Sequence, residues 1–212
     1  TADNHLTNIK WGSFISDYDK FDPLFFNIAG FDTELMDPQE RLVLEHIWRT
    51  MEDAGYSSSK LWDTDTGVFI GVSSADYKEL LLDNKSPTML TQTFIANRVS
   101  YVLNLHGPSE PIDTACSSSL VAIHKAIQSI HSGECKMAFA GAVNLILSPN
   151  LYITESKTNV LSQEGRCKTF DKHADGYVRG EGIATVLLKP LKAAIKDKDN
   201  IYGVIRGSAV NH

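Results

Sequence analysis

The sequence has few of the features that identify a disulfide-linked, metal-stabilised or membrane-spanning protein. Its 212 residues include only three cysteines, Cys116, Cys135 and Cys167. They form no CxxC pair and their number is odd, so neither a zinc ribbon nor a disulfide framework is predicted. A reducing, cytoplasmic compartment is the simpler expectation. The longest apolar run, residues 139–147, is far shorter than the ~20 residues of a membrane helix, and the first residues lack the basic-then-apolar order of a secretory signal.

Positive charge is also in short supply, because 20 Lys and Arg stand against 26 Asp and Glu for a formal net charge of -6. This balance gives no electrostatic reason to bind nucleic acid or an anionic membrane. Small molecules or proteins are therefore the expected partners. The chain is 42% hydrophobic and 22% charged, which is typical of a globular protein. No internal repeat or linker divides it, so a single domain is predicted.

Two amphipathic helices are predicted from capping signals and apolar periodicity. At residues 37–40 the letters DPQE place a capping carboxylate, a proline at the first helical position and an acidic group in order. A helix over residues 38–54 follows, with an apolar face of Leu44, Ile47, Trp48 and Met51. A second helix over residues 117–132 ends at Gly133. We expect it to be buried on most sides, with a stripe formed by Leu120, Ile123, Ile127 and Ile130.

Short apolar runs between turn residues predict the strands. Residues 66–73, 137–147 and 201–210 are near-continuous apolar runs, which suit strands buried on both faces. Residues 183–188 predict a further strand after the turn at Gly180–Gly182. Because strands and helices alternate, the predicted fold class is α/β, a mixed sheet covered by helices.

Cys116 is the candidate nucleophile, because it lies directly before the second helix and after a short extended segment. Free N–H groups and the positive end of the dipole at a helix start stabilise a thiolate over a thiol. The small neighbours Ala115 and Ser117 would let an acyl group approach the sulfur closely. A cysteine of purely structural role, buried as a small hydrophobe, remains an equal alternative.

No histidine is a convincing base for this cysteine, although nucleophilic cysteines normally work with one. His124 and His131 follow on the same helix, about 12 and 22 Å away along its axis. His173 lies in an Asp-rich loop, where a solvated side chain is expected. The chain also shows no phosphate-binding loop, metalloprotease motif or serine nucleophile elbow, and no metal site is predicted.

Residues 113–120 (DTACSSSL) resemble the nucleophile motif of the ketosynthase domains of modular polyketide synthases. Other segments resemble the family in the same order along nearly the whole chain, among them residues 21–26 (FDPLFF), 36–42 (MDPQERL), 96–101 (ANRVSY), 165–171 (GRCKTFD), 176–182 (GYVRGEG) and 206–212 (RGSAVNH). The sequence of residues 107–113 (GPSEPID) is similar to that of ketosynthases from bacterial trans-acyltransferase systems.

The resemblance implies the N-terminal half of a thiolase-like fold and the activity of a β-ketoacyl-acyl carrier protein synthase. In this family the cysteine, here Cys116, takes an acyl chain from the phosphopantetheine arm of an acyl carrier protein. Decarboxylation of malonyl on another carrier protein then drives a Claisen condensation. Ala115 and Ser117 would line the substrate, and no cofactor or metal would be bound directly. Residues 96–102, as an extended segment, and the strand before Cys116 would form a homodimer contact.

The family's two catalytic histidines belong to HGTGT and NIGH motifs, which follow the segment at residues 206–212 and do not occur in this chain. The family's first strand is also missing. We therefore expect residues 1–212 to be one partial ketosynthase domain that cannot complete the condensation by itself. Two alternatives stay open at this point, a fatty-acid-type thiolase-like condensing enzyme and a non-catalytic scaffold that binds a carrier protein.

Overall fold

The elements of the fold alternate between strands and helices. The computed structural model describes residues 7–83 and 91–212. In chain order its elements are β1 (Gly12–Ser13), α1 (Gly30–Leu35), α2 (Pro38–Asp53), α3 (Ser58–Leu61), β2 (Thr66–Gly71), α4 (Asp76–Asp83), α5 (Thr93–Leu103), β3 (Ser109–Ile112), a 3-10 turn (Ala115–Ser117), α6 (Ser118–Ser132), β4 (Met137–Asn144), α7 (Pro149–Lys157), β5 (Arg179–Gly180), β6 (Gly182–Leu188) and α8 (Leu191–Asp197).

The main sheet has four strands in the order β3-β2-β4-β6. β2 pairs in parallel with both β3 and β4, and β4 pairs antiparallel with β6. All six residues of β2 are buried, as its apolar composition predicts for a central strand with helices on both faces. The predicted α/β class and mixed sheet are confirmed. The strands predicted at residues 66–73, 137–147 and 183–188 are present, although β2 ends at Gly71 and β4 at Asn144, earlier than predicted.

One face of the sheet is covered by α2 and α5. Helix α2 begins as predicted, because the Asp37 carboxylate accepts a hydrogen bond of 2.8 Å from the Gln39 N–H. Its buried Glu40 forms an ion pair of 2.7 Å with Arg98 of α5. The apolar residues of these helices pack on alternate strand residues in one large core cluster, which includes Ile47, Met51, Val99, Val68, Ile70, Phe139 and Val143.

Helix α6 covers the opposite face of the sheet. The side chains that it buries are small, namely Ser118, Ala122, Ala126 and Ser129. The prediction that this helix is buried on most sides is wrong, because Leu120 is 71% exposed and Ile127 only half-buried. Short side chains let the helix lie close to the sheet, and this approach leaves no room for a long side chain between them. The helix ends as predicted at Gly133, which adopts the left-handed conformation with φ of 83°.

Two sequence predictions of extended structure are wrong. Residues 96–102 lie within helix α5, because Ile95, Ala96, Val99 and Leu103 recur at helical spacing and all four are buried. Residues 201–210 form no strand and are exposed. A strand needs a neighbour for its N–H and C=O groups, and within the described residues none lies beside this segment.

Side-chain hydrogen bonds connect the segment at residues 201–210 to two helices. The Tyr202 hydroxyl donates to Asp53 of α2 over 3.0 Å, and the Ser208 hydroxyl oxygen lies 2.9 Å from Nδ1 of His124 on α6.

In the described ranges no helix is long and apolar enough to cross a bilayer.

Candidate functional site

Cys116 lies on a turn between a strand and a helix. The chain leaves the sheet at the end of β3, passes Asp113 and Thr114, and makes the 3-10 turn before α6 begins at Ser118. Ala115 has a φ of 55°, a left-handed conformation that residues with a Cβ adopt rarely. The turn leaves Ala115, Cys116 and Ser117 together at the surface. The structure thus brings the three predicted site residues together, and their individual roles remain predictions.

An aspartate fixes the first part of this turn. Oδ1 of Asp113 accepts hydrogen bonds from the Ser73 hydroxyl, over 2.5 Å, and from the Ala115 N–H, over 3.0 Å. Ser73 lies just beyond the end of β2, so this contact joins the ends of two parallel strands. The hydroxyl of Ser73 and then the N–H of Ala115 lower the pKa of Asp113 below its usual range.

Two serines fix the second part. The buried hydroxyl oxygen of Ser118 accepts a hydrogen bond of 2.9 Å from the Thr114 N–H, and the hydroxyl donates over 2.7 Å to the Ala115 carbonyl. The Ser117 hydroxyl donates to the Thr114 carbonyl over 2.8 Å. Both serine side chains are therefore used to hold the loop, and sequence analysis had assigned Ser117 only to the substrate.

The three cysteines occupy different environments. Cys135 is buried against the Ser129 hydroxyl, and burial raises the pKa of its thiol. Cys167 is exposed, but its sulfur accepts a hydrogen bond of 3.1 Å from the Val178 N–H. Cys116 is exposed, so the interpretation of this residue as a buried structural cysteine is wrong. Exposure at the apex of a tight turn suits a nucleophile.

Within residues 7–83 and 91–212, no hydrogen bond reaches the Cys116 sulfur, from a histidine or from any other residue. His106 pairs instead with Asp63 over 3.0 Å, and His124 contacts Ser208. His131 and His173 are exposed, and His5 lies outside the described residues. In the same part of the chain, no group of three His, Cys, Asp or Glu side chains is placed to hold a metal ion.

A tyrosine that sequence reasoning missed lies within electrostatic reach of Cys116. The Tyr177 hydroxyl donates to Glu155 over 3.1 Å, and Glu155 also pairs with the buried Arg179 over 3.1 Å. Burial, then the Glu155 charge, raises the pKa of Tyr177, and a charge on Cys116 adds a smaller increase. The available signal was its place in the family-like segment at residues 176–182.

Comparison with known proteins identifies the family of this site. Residues 3–194 match the family model described as the β-ketoacyl synthase N-terminal domain. The polyketide synthase PksN of Bacillus subtilis is 53% identical over 97% of this chain, and PksL of the same organism is 52% identical over 96%. The chain spans only 4% and 5% of the length of these two relatives.

Solved structures show the same similarity. The ketosynthase from module 6 of the bacillaene synthase of Bacillus subtilis superposes with a TM-score of 0.85 at 44% identity, over 91% of this chain. The oxazolomycin ketosynthase domain of Streptomyces albus gives a TM-score of 0.86 at 41% identity, over 93%. The chain covers 34% and 37% of these two structures.

Proposed function

The chain belongs to the β-ketoacyl synthase family, as a ketosynthase of the polyketide synthase type with a thiolase-like fold, and we propose that its Cys116 carries the acyl chain. The donor is an acyl thioester on the phosphopantetheine arm of an acyl carrier protein. The observation that carries this proposal is the exposed Cys116 on a strand–turn–helix, where the side chains of Asp113, Ser117 and Ser118 hold the turn. The similarity at residues 107–113 further supports a bacterial trans-acyltransferase system.

The chemistry begins when the Cys116 thiolate attacks the carbonyl carbon of the incoming thioester. A tetrahedral oxyanion forms, and the N–H of Cys116 is one donor aimed at the developing charge. Collapse of the oxyanion breaks the original C–S bond, so the carrier's thiolate leaves and takes up a proton. Cys116 now holds the acyl group. In the complete domain, loss of CO₂ from malonyl on a carrier leaves a carbanion, which attacks this thioester, releases the Cys116 thiolate and yields the β-ketoacyl product.

Thiol labelling tests the role of Cys116. With limiting iodoacetamide near neutral pH, peptide mass analysis is expected to find Cys116 modified ahead of Cys167 and Cys135, because only Cys116 is exposed without a hydrogen bond to its sulfur. Incubation with an acyl thioester is expected to add one acyl mass, which Cys116→Ser abolishes and Cys167→Ser preserves. Faster modification of Cys167, or acylation that survives Cys116→Ser, would contradict the assignment.

We further propose that residues 1–212 alone accept an acyl group but do not condense it. Decarboxylation needs donors aimed at the malonyl thioester oxygen, and losing one such donor costs about 10²–10³ in rate. In the described residues no histidine is placed beside Cys116. Intact-protein mass spectrometry with malonyl-loaded carrier protein measures this directly. A β-ketoacyl product formed by the 212-residue chain would contradict the proposal.

A second copy of the chain is proposed to pair with β3 at the edge of the sheet. The carbonyls of Pro108 and Ile112 accept hydrogen bonds from the N–H groups of Val68 in β2 and Val72 just beyond it. Main-chain groups alternate in direction along a strand, so Ser109, next to Pro108, directs its N–H and C=O outward. An open strand edge is a template for another strand. In the complete domain, light scattering is expected to show a dimer that Ser109→Pro weakens and the matched Ser109→Ala leaves intact. Equal dimerisation of both variants would place the contact elsewhere.

The compartment proposed for this function is the cytoplasm. All three cysteines are free thiols in the structure, and their separate environments suit a reducing milieu. Substrates arrive on a carrier protein, so the chain itself needs no bound cofactor.

A further inference from the structure

We propose that Asp113, held in place by Ser73, is a positioning residue that fixes the left-handed conformation of Ala115 and so orients the Cys116 turn for acyl transfer. This inference rests on the proposed acylation of Cys116. It assigns to the carboxylate a geometric role, distinct from the binding of substrate or the transfer of a proton.

The need for such a residue follows from the backbone. A positive φ raises the free energy of a residue that has a Cβ. Such a conformation persists only where several contacts with the surrounding structure hold it. At Ala115 both main-chain groups are held. The N–H donates to Asp113 over 3.0 Å, and the carbonyl accepts from the Ser118 hydroxyl over 2.7 Å.

Asp113 and Ser118, which bond the main chain of Ala115, are kept in place in different ways. Ser118 is the first residue of α6 and is buried against Gly71 of the sheet, where its side chain is confined by packing. Asp113 is exposed and would be free to rotate without its second hydrogen bond, the one of 2.5 Å from Ser73. Ser73 follows β2, and the ladder between β2 and β3 continues to this point through the Val72 N–H, which donates to the Ile112 carbonyl over 3.0 Å. The sheet therefore sets the position of the carboxylate.

The contacts of Asp113 argue for a geometric role rather than an electrostatic one. Its Oδ1 accepts from the Ala115 N–H and from the Ser73 hydroxyl, and both contacts hold the turn. What the turn uses is the Oδ1 acceptor, which an asparagine also provides. Asp113→Asn should therefore keep the function and Asp113→Ala should lose it, whereas a role that depends on charge predicts that both variants differ from the wild type.

The test compares Asp113→Ala, Asp113→Asn, Ser73→Ala and the exposed control Asp19→Ala in the full chain. Acylation of Cys116 by an acyl thioester is followed by intact mass at several thioester concentrations, and iodoacetamide labelling is measured in parallel. Asp113→Ala is expected to lower the maximal acylation rate about tenfold or more, with little change in the half-saturating concentration, because small misplacements of reacting groups carry such costs. The maximal acylation rate of Ser73→Ala should lie between those of Asp113→Ala and the wild type. The rates of Asp113→Asn and Asp19→Ala should remain within about twofold of the wild type.

Alkylation by iodoacetamide requires only a thiolate and no oriented oxyanion donor, so it should change much less than acylation in Asp113→Ala. Acylation at the wild-type rate in Asp113→Ala, or an equal loss in Asp113→Asn, would overturn the inference. Amide hydrogen exchange of the peptide spanning residues 113–118 is a second readout, and Asp113→Ala but not Asp113→Asn should accelerate it. If the wild type is not acylated at all, the proposed function fails, and the exchange comparison still decides whether Asp113 holds the turn.

Discussion

The two faces of the main sheet are packed in opposite ways. Toward α2 and α5, the strands present large side chains such as Ile70 and Phe139, in the larger of the two core clusters. Toward α6 they present mainly small ones, with Ala138 and Ala140 beside Phe69. Alternation along a strand separates the two sets. The first face provides most of the buried apolar area, whereas the second brings the helix behind Cys116 close to the sheet.

Gly71 shows how close that approach is. A Cβ on this residue would lie 2.9 Å from the Ser118 carbonyl carbon and 3.0 Å from the Cβ atoms of Ser118 and Ala142. Ser118 is also the residue that holds Ala115, so the small face positions the functional turn. We infer that the large face should be sensitive to truncation and the small face to enlargement.

The helices on the two faces also begin differently. Helix α2 begins at the buried Asp37, whose pKa is raised to about 6, chiefly by desolvation. The turn before α6 begins at the exposed Asp113, whose pKa is lowered by its hydrogen bonds. The site of Asp37 thus destabilises the charged form of its carboxylate, whereas the site of Asp113 stabilises the charged form.

Truncation on the large face should have the largest effect on stability. Phe139→Ala removes a fully buried ring and should lower the free energy of unfolding by about 3–5 kcal/mol, through lost burial and the cavity left behind. Urea unfolding measures this change. The control is Leu120→Ala on α6, which should cost well under about 1 kcal/mol because the side chain is mostly exposed. A similar loss in both variants would contradict the burial of Phe139 and the exposure of Leu120.

The buried cap should make stability depend on pH. The folded-state pKa of Asp37, about 6, exceeds the usual value of about 4, so its contribution is fully present below pH 4 and is lost as pH rises through 6. Asp37→Asn keeps the acceptor for the Gln39 N–H without the charge. Relative to the wild type, it should gain about 2 kcal/mol of unfolding free energy between pH 4 and pH 7.

Urea unfolding of the wild type and Asp37→Asn at four pH values from 4 to 7 checks this prediction. Asp19→Asn, at an exposed site, serves as the control for loss of one surface charge. A difference between wild type and Asp37→Asn that stays constant over this range would show that Asp37 is not the titrating group.

Enlargement on the small face should have a moderate effect on stability and a clear effect on chemistry. Gly71→Ala places a methyl group against the Ser118 backbone and should cost about 1–3 kcal/mol, because a packed interface cannot absorb the added volume. The shift of Ser118 should also slow Cys116 acylation. The matched control is Gly30→Ala, where an added Cβ meets nothing within 4 Å. Normal stability and acylation in Gly71→Ala would refute the close approach of α6.

The smallest effect is expected on the flank of α6. Ile127 is half-buried, so Ile127→Asp leaves its charge in contact with water and should cost only about 1 kcal/mol. Ala126→Asp, one residue earlier at a fully buried position, should cost several times more because the charge would be unpaired inside the core. Denaturant unfolding of the two variants side by side decides which face of the helix is buried.

Local signals in the sequence were sufficient for several elements. Helix α2 could be predicted because Asp37 caps it and Pro38 starts it, both through contacts within one turn of the chain. The strands β2 and β4 followed from short apolar runs, and Cys116 from a small-residue segment directly before an amphipathic helix. The resemblance of residues 113–120 to ketosynthases, which the comparisons support, likewise depends only on the order of residues.

The tertiary structure decided what depends on neighbours distant in the chain. The sequence pattern of α6 favoured its isoleucines as the buried face, but the helix packs Ala122 and Ala126 against the small residues Ala138 and Ala140 of the sheet instead. The apolar run at residues 201–210 is no strand, since strand formation needs a partner that the run itself does not contain. The contact of Asp113 with Ser73 spans 40 residues. Such contacts are decided by packing and sheet pairing, because a local pattern specifies which side chains are apolar but not which surface will be near enough to cover them.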